Sequence, residues 1–253
     1  MMTRKWQKEQ AQFKDNSSSS LLWLKAVYHL HVFHYRMPET ASIAALTPFV
    51  PSPLTVKMAM VASLLQKGEY QKASQLVAHL PKIEVRIAPP SAAFSFKAFL
   101  RYRSVPAVES AGEMDETGSF YPSRPHTREY ALFADDLVVF VGLPSSDIKE
   151  IVEKALKHIR YLGCKDSLVW CKSVTEVEAS MVEQEATVPQ LKEGKAGTIV
   201  LLADFKPDVQ IKALKEIIPG QRKEEHYQHP PFVLPGQITT KGRTRLFVKG
   251  QKV

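Results

Sequence analysis

The chain has 253 residues, 44% hydrophobic and 24% charged, ordinary globular usage that excludes a disordered or collagen-like polymer. Thirty-four lysines and arginines against 26 aspartates and glutamates leave a formal charge of +8, which suits a polyanionic partner without dictating a fold. Two cysteines, Cys164 and Cys171, exclude a disulfide framework and a four-cysteine zinc site, and with no apolar run near the roughly 18 residues of a membrane helix the expected location is cytoplasmic.

Residues 1–20 are polar and end in Asn16 and Ser17 to Ser20, a composition that cannot offset ordering entropy, so a mobile tail is expected. Tyr28, Leu30 and Val32 alternate within Ala26 to Arg36, which reads as a strand. Pro48, Pro51 and Pro53 force extended or turn geometry; Ser52 suits an N-cap and Pro53 the first helical position. Val56, Met60 and Leu64 predict a helix over Leu54 to Lys67 that stops at Gly68, followed by a short helix over about Tyr70 to Leu80, ended by Pro81.

Strands are expected near Lys82 to Ala88 and Ala93 to Arg103, then a loop over Ser104 to Thr127. Arg128 to Phe133 and Leu137 to Gly142, joined through Ala134, Asp135 and Asp136, look like a β-hairpin. Ile148, Ile151, Val152, Ala155, Ile159 and Leu162 mark a helix over Asp147 to Leu162, capped by Ser146 and closed by Gly163. Strands at Ser167 to Val174, Thr198 to Leu202 and Arg243 to Lys249, and a short helix at Val209 to Ile217, complete the chain. The order is α+β, ferredoxin-like βαββαβ, with helices on one sheet face and the other left for binding, as in an RNA-recognition motif. The main domain is placed at 21–180, and a smaller, irregular β-rich region at 181–253.

Two stretches concentrate positive charge. Lys241, Arg243, Arg245, Lys249 and Lys252 stand together without an acid near the end of the chain, and Lys97, Arg101 and Arg103 are interleaved with Phe94, Phe96, Phe99 and Tyr102. Cations neutralise phosphates while rings stack on bases, so the second stretch has the make-up of a single-strand binder. A half-buried strand with a basic outer face has the same pattern. Lys57, in the first turns of its helix, is placed to hold a phosphate or simply to face water. Tyr121, Arg124, His126 and Arg128 either bind RNA or, through general acid and base chemistry, cut it without a metal; binding is preferred. On a strand His29 and His31 share a face and His34 takes the other, so no metal site is expected. Asp135 and Asp136 read as turn residues, and neither cysteine has a base beside it in sequence. No catalytic residue, metal or cofactor is assigned.

The strand Ala26 to Arg36, the entry Thr47 to Pro53 and the helix Leu54 to Ala62 resemble the amino-terminal signature of the RAMP-fold Cascade subunit numbered five of type I CRISPR effector complexes. Arg124 to Tyr130 and Tyr161 to Val169 are similar to later motifs of that family, and together the resemblance covers about 23–174. It implies a RAMP domain with an inserted β-hairpin thumb near 89–127, and a subunit that caps the backbone of RAMP subunits beside a large Cascade subunit. It further implies a grip on the 5′ handle of crRNA, contact with target DNA at most indirect, and no membrane. On this resemblance the RNA-binding residues are Arg36, Lys57, Lys97, Arg101, Tyr102, Arg103, Arg124, His126 and Arg128. Met58 stands where many members carry glycine, and the glycine-rich C-terminal loop of the RNA-processing relative numbered six is absent. Some members cut crRNA with a tyrosine, a histidine and a lysine, which Tyr121, His126 and Lys97 could imitate; a scaffold without a direct RNA role is the third reading.

Overall fold

The computed structural model describes residues 21–35, 46–103, 112–114, 123–189, 196–217 and 224–250, with backbone only for 101–103, 123–126, 188–189 and 224. The predicted tail at 1–20, Arg36 and Tyr121 lie outside the described residues.

The first sheet holds β1 (Leu22–Leu30), β2 (Glu84–Ala88), β5 (Leu137–Leu143) and β6 (Val169–Val177) in the order β2-β5-β1-β6, with every pair antiparallel. Leu24, Ala26, Tyr28 and Leu30 alternate onto its inner side and are buried with Val139 and Val141. Against that side pack α1 (Pro53–Gln66), α2 (Tyr70–His79) and α3 (Lys149–Lys157), through Val56, Met60, Leu64, Leu76, Val152 and Leu156. Tyr28 donates its hydroxyl to the Leu156 carbonyl at 2.8 Å, so the one polar atom of this large core residue is satisfied.

The entry to α1 is built as its residues dictate. Ser52 Oγ accepts from Thr55 N–H, Pro53 opens the helix, and Gly68 follows its end at φ 74°, a left-handed conformation costly for other residues. On the outer side of the first sheet Trp23 lies across Gly142: a Cβ there would sit 2.9 Å from the indole. A helix absent from the sequence reading, α4 (Ala179–Glu185), covers this end of the outer side, with Val182 packed among Trp23, Ala88 and Phe140. The outer face is therefore only partly open.

A second four-stranded sheet joins β3 (Ala92–Arg103) and β4 (Ser123–Phe133) to the C-terminal hairpin β12 (Gly236–Lys241) and β13 (Thr244–Lys249), in the order β12-β13-β3-β4. Smaller sheets, β7-β11-β8 and β9-β10, are formed by Val188–Pro189, Pro231–Leu234, Thr198–Leu201, Asp204–Phe205 and Tyr227–Gln228.

Three expectations are corrected. Arg128 to Phe133 and Leu137 to Gly142 do not form a hairpin: β4 pairs with β3 from Ala93↔Phe133 to Arg103↔Ser123, while β5 pairs with β1 and β2 in the other sheet. The connecting turn is pinned to the β3 entry, because Ala134 N–H donates to the Ala92 carbonyl at 2.9 Å and the Asp135 carboxylate accepts from Ser91 N–H at 2.9 Å. The helix expected over 147–162 is shorter: a single turn at Ser146–Ile148 capped by Ser145, then α3. Ile159 and Leu162 are buried from the segment beyond it, and Gly163 takes φ 85° there, against the Tyr35 ring. The helix expected over 209–217 is one turn at Leu214–Ile217.

Candidate nucleic-acid interface

The β3–β4 pair is an arm whose two sides differ in chemistry. Its register places positions 94, 96, 98, 100 and 102 on one side of the ladder with 124, 126, 128, 130 and 132. Positions 97, 99, 101 and 103 share the other side. The aromatic-basic run that reads as one surface in sequence is thus divided: Phe94 and Phe96 lie on the Arg128 side, and Phe99 lies with Lys97.

On the first side Phe94 and Phe96 are exposed, and their rings form a file with Tyr130, at 6.3 Å and then 6.0 Å between centroids. Leu246 and Val248 of β13 extend this exposed stripe, and a hollow lined by Phe94, Thr239, Lys241, Thr244 and Leu246 adjoins it. Arg128 is half-buried and contacts Asp166 at 2.6 Å, where Tyr130 also donates its hydroxyl at 3.2 Å. In register, Tyr102 stands opposite Arg124 and Leu100 opposite His126. On the second side Phe99 is the most exposed large hydrophobic among the described residues, at 73%, and Lys97 is exposed beside it. Arg101 and Arg103 follow at alternate positions toward the tip.

Lys57 leaves the phosphate-binding set. Its side chain is fully buried, with Nζ 2.6 Å from Asp204 Oδ1 and over the Phe205 ring. Burial holds the ammonium below its ordinary range, Asp204 only partly offsetting that, and burial likewise raises the Asp204 carboxyl despite Lys57. Arg245, one of the basic residues grouped near the chain end, is also spent inside the protein. Glu129, 1% exposed, receives Arg245 at 2.9 and 2.6 Å, Ser95 Oγ at 2.7 Å and Thr47 N–H at 2.6 Å. His34 joins this cluster through Nδ1, 2.8 Å from the Glu129 carbonyl and 3.2 Å from Thr47 Oγ1, and burial lowers its pKa. The node fastens the base of the arm to the α1 entry loop and the C-terminal hairpin. Sequence reading missed Glu129, whose only local signal is an acid at an inward position of a strand.

Among the described residues no three of His, Cys, Asp and Glu converge as a metal site, and no helix is long and apolar enough to cross a membrane. The outer end of the first sheet carries an exposed tryptophan, Trp170, beside His29 and His31.

No family model matches the chain. It is similar to a CRISPR-associated protein Cas5 of Archaeoglobus fulgidus, 27% identical over 160 residues, which span 61% of this chain and 65% of the relative, just under two thirds of that protein's length. The resemblance read from the sequence is thus matched by a relative carrying the same subunit's name. Similar solved structures include a CRISPR protein from Archaeoglobus fulgidus, at TM-score 0.44 and 15% identity over 91% of this chain and 93% of that one. A chain of a CRISPR RNA-guided surveillance complex aligns at TM-score 0.42 and 14% identity, covering 90% of each.

Proposed function

We propose that the chain is a non-catalytic subunit of a type I CRISPR effector complex that grips the 5′ handle of crRNA and caps the filament of backbone RAMP subunits, next to a large subunit. The observation that carries this is the β3–β4 arm, which presents exposed rings on both of its sides, with exposed Lys97 beside Phe99 on one and half-buried Arg128 on the other. Rings supply stacking and arginines and lysines supply phosphate neutralisation, the two terms that hold single-stranded RNA. The strand order β2-β5-β1-β6, with α1 after β1 and α3 after β5, supports the ferredoxin-like reading of the domain. Against the endoribonuclease reading stands the register, in which Lys97 and position 126 fall on opposite sides of the ladder. Lys57 has no exposed ammonium to offer and is left out of the handle contacts.

The test is anisotropy of labelled repeat RNA against salt. Affinity is expected to fall steeply between about 50 and 200 mM salt, and Lys97→Ala with Arg101→Ala and Arg103→Ala should flatten that slope by about 0.7 for each phosphate no longer neutralised. Phe94→Ala with Phe96→Ala should weaken binding about fivefold or more without changing the slope. Affinity indifferent to salt and to both variants would point to a protein scaffold. Cleavage of the RNA in EDTA that His126→Ala abolishes would replace the proposal with a metal-independent nuclease.

A further inference from the structure

We infer that the chain carries a second contact for single-stranded RNA, away from the arm, built on Trp170. On the outer side of the first sheet α4 covers only the end near Trp23 and Phe140. At the opposite end Trp170 and Leu168 remain 48% and 57% exposed. His29 and Trp170 are direct partners across the β1–β6 ladder, so their side chains share this face, and their rings lie 4.2 Å apart at 38°. His31 stands edge-on to the same indole at 5.5 Å and to His29 at 5.6 Å.

These rings are held in place. Asp136 binds His29 Nδ1 at 3.1 Å through one carboxylate oxygen and Lys172 Nζ at 2.7 Å through the other, which braces the imidazole beside the indole and an ammonium two positions further along β6. The ammonium has three donors and spends one here, leaving donors for a phosphate next to a base stacked on Trp170. An exposed ring on the open face of a four-stranded sheet is what stacks a base in the RNA-recognition arrangement. Here the indole is bordered by two imidazoles, with Leu168 and Lys172 two positions away on either side in sequence, and the imidazole and ammonium donors suit a sugar-phosphate chain.

The two contacts are joined by a short piece of chain, in which Phe33 N–H and carbonyl pair with Ala131 of β4 at 2.8 Å. Phe33 and His34 are buried there, so the Trp170 face is a contact separate from the arm's ring file. The inference extends the RNA-binding reading, and its test separates the two.

The probe is a short oligouridylate added to the full chain carrying Trp6→Phe, so that the emission reports Trp23, which is buried, and Trp170. Saturable quenching is expected, absent when Trp170→Phe is added, and Trp170→Ala should weaken binding about fivefold or more. His31→Ala, which leaves the indole in place, should weaken it less. Quenching that survives Phe94→Ala with Phe96→Ala supports the site while removing the arm as its source. Weakened binding in Trp170→Ala with no effect of the arm variants would retain this site and defeat the arm reading. Saturable binding with unchanged Trp170 emission and unchanged affinity in Trp170→Ala overturns the inference, as does a Trp170→Ala protein that binds RNA normally but no longer assembles with its partner subunits.

Discussion

Two buried ion pairs tie the C-terminal part of the chain to the rest, and they are built on opposite plans. Lys57 and Asp204 meet through a single contact; Asp204 adds only the N–H of its neighbour Phe205, at 2.8 Å. Glu129 and Arg245 meet through two contacts, and Ser95 and Thr47 fill the remaining acceptor capacity. In the first pair burial wins: the lysine is held low and the aspartate high. In the second, burial pushes the Glu129 carboxyl up, but Arg245, Ser95 and the Thr47 amide together outweigh it and hold the group below its ordinary value. The number of donors, more than the presence of an opposite charge, decides whether a buried carboxylate stays comfortably ionised.

The largest expected effect breaks the stronger pair. Glu129→Ala strips Arg245 of its partner inside the protein and should cost about 3 to 5 kcal/mol by urea denaturation, with the arm's hydrogen exchange accelerating most. Next comes the weaker pair, where the two halves should differ. Asp204→Ala strands a lysine whose side chain is 1% exposed and should cost about 3 kcal/mol. Lys57→Met leaves an acid already inclined to hold its proton and should cost less than about 1.5 kcal/mol, with RNA affinity unchanged. A measured loss of RNA affinity in Lys57→Met would return that residue to the phosphate contacts.

The acid limb sharpens the comparison. Because the folded Glu129 lies below 4.5, the unfolded chain binds more protons in that window, so its stabilisation is complete above 4.5 and disappears as pH falls through the folded value. Asp204, raised above 3.8, works the other way: its contribution is present below 3.8 and declines as pH rises through its folded value. Urea midpoints followed across acid pH should lose the rising component in Glu129→Ala and the falling component in Asp204→Ala. The smallest effect supplies the neutral reference: Tyr28→Phe removes one buried hydroxyl bond to the Leu156 carbonyl and should cost about 1 kcal/mol.

Local features were legible where the chemistry is local. Ser52, Pro53 and Gly68 mark the ends of α1, and Tyr28 and Leu30 of β1's inward file follow from the alternation, although the strand runs Leu22–Leu30 instead of from Ala26 to Arg36. The shortened α3 shows the limit of this: Ile159 and Leu162 keep the helical spacing and are buried, yet they reach the core from beyond the helix end. The false hairpin between β4 and β5 has a similar cause, since two apolar runs joined by a short polar link read alike whether they pair with each other or turn a corner into different sheets. Trp170 gave no signal, because one aromatic in a strand does not announce whether a helix will cover it.

The amino-acid order by itself determined the entry to α1, the apolar files of the strands, the basic balance of the chain and the family resemblance. Only the tertiary structure decided which charges reach solvent. Lys57 finds its partner 147 positions away and Arg245 finds Glu129 at 116, so neither burial is visible in any local window. The division of the aromatic-basic run between two sides of the arm was likewise settled by pairing: side chains alternate along a strand, and it takes a partner strand to fix which side each one shares.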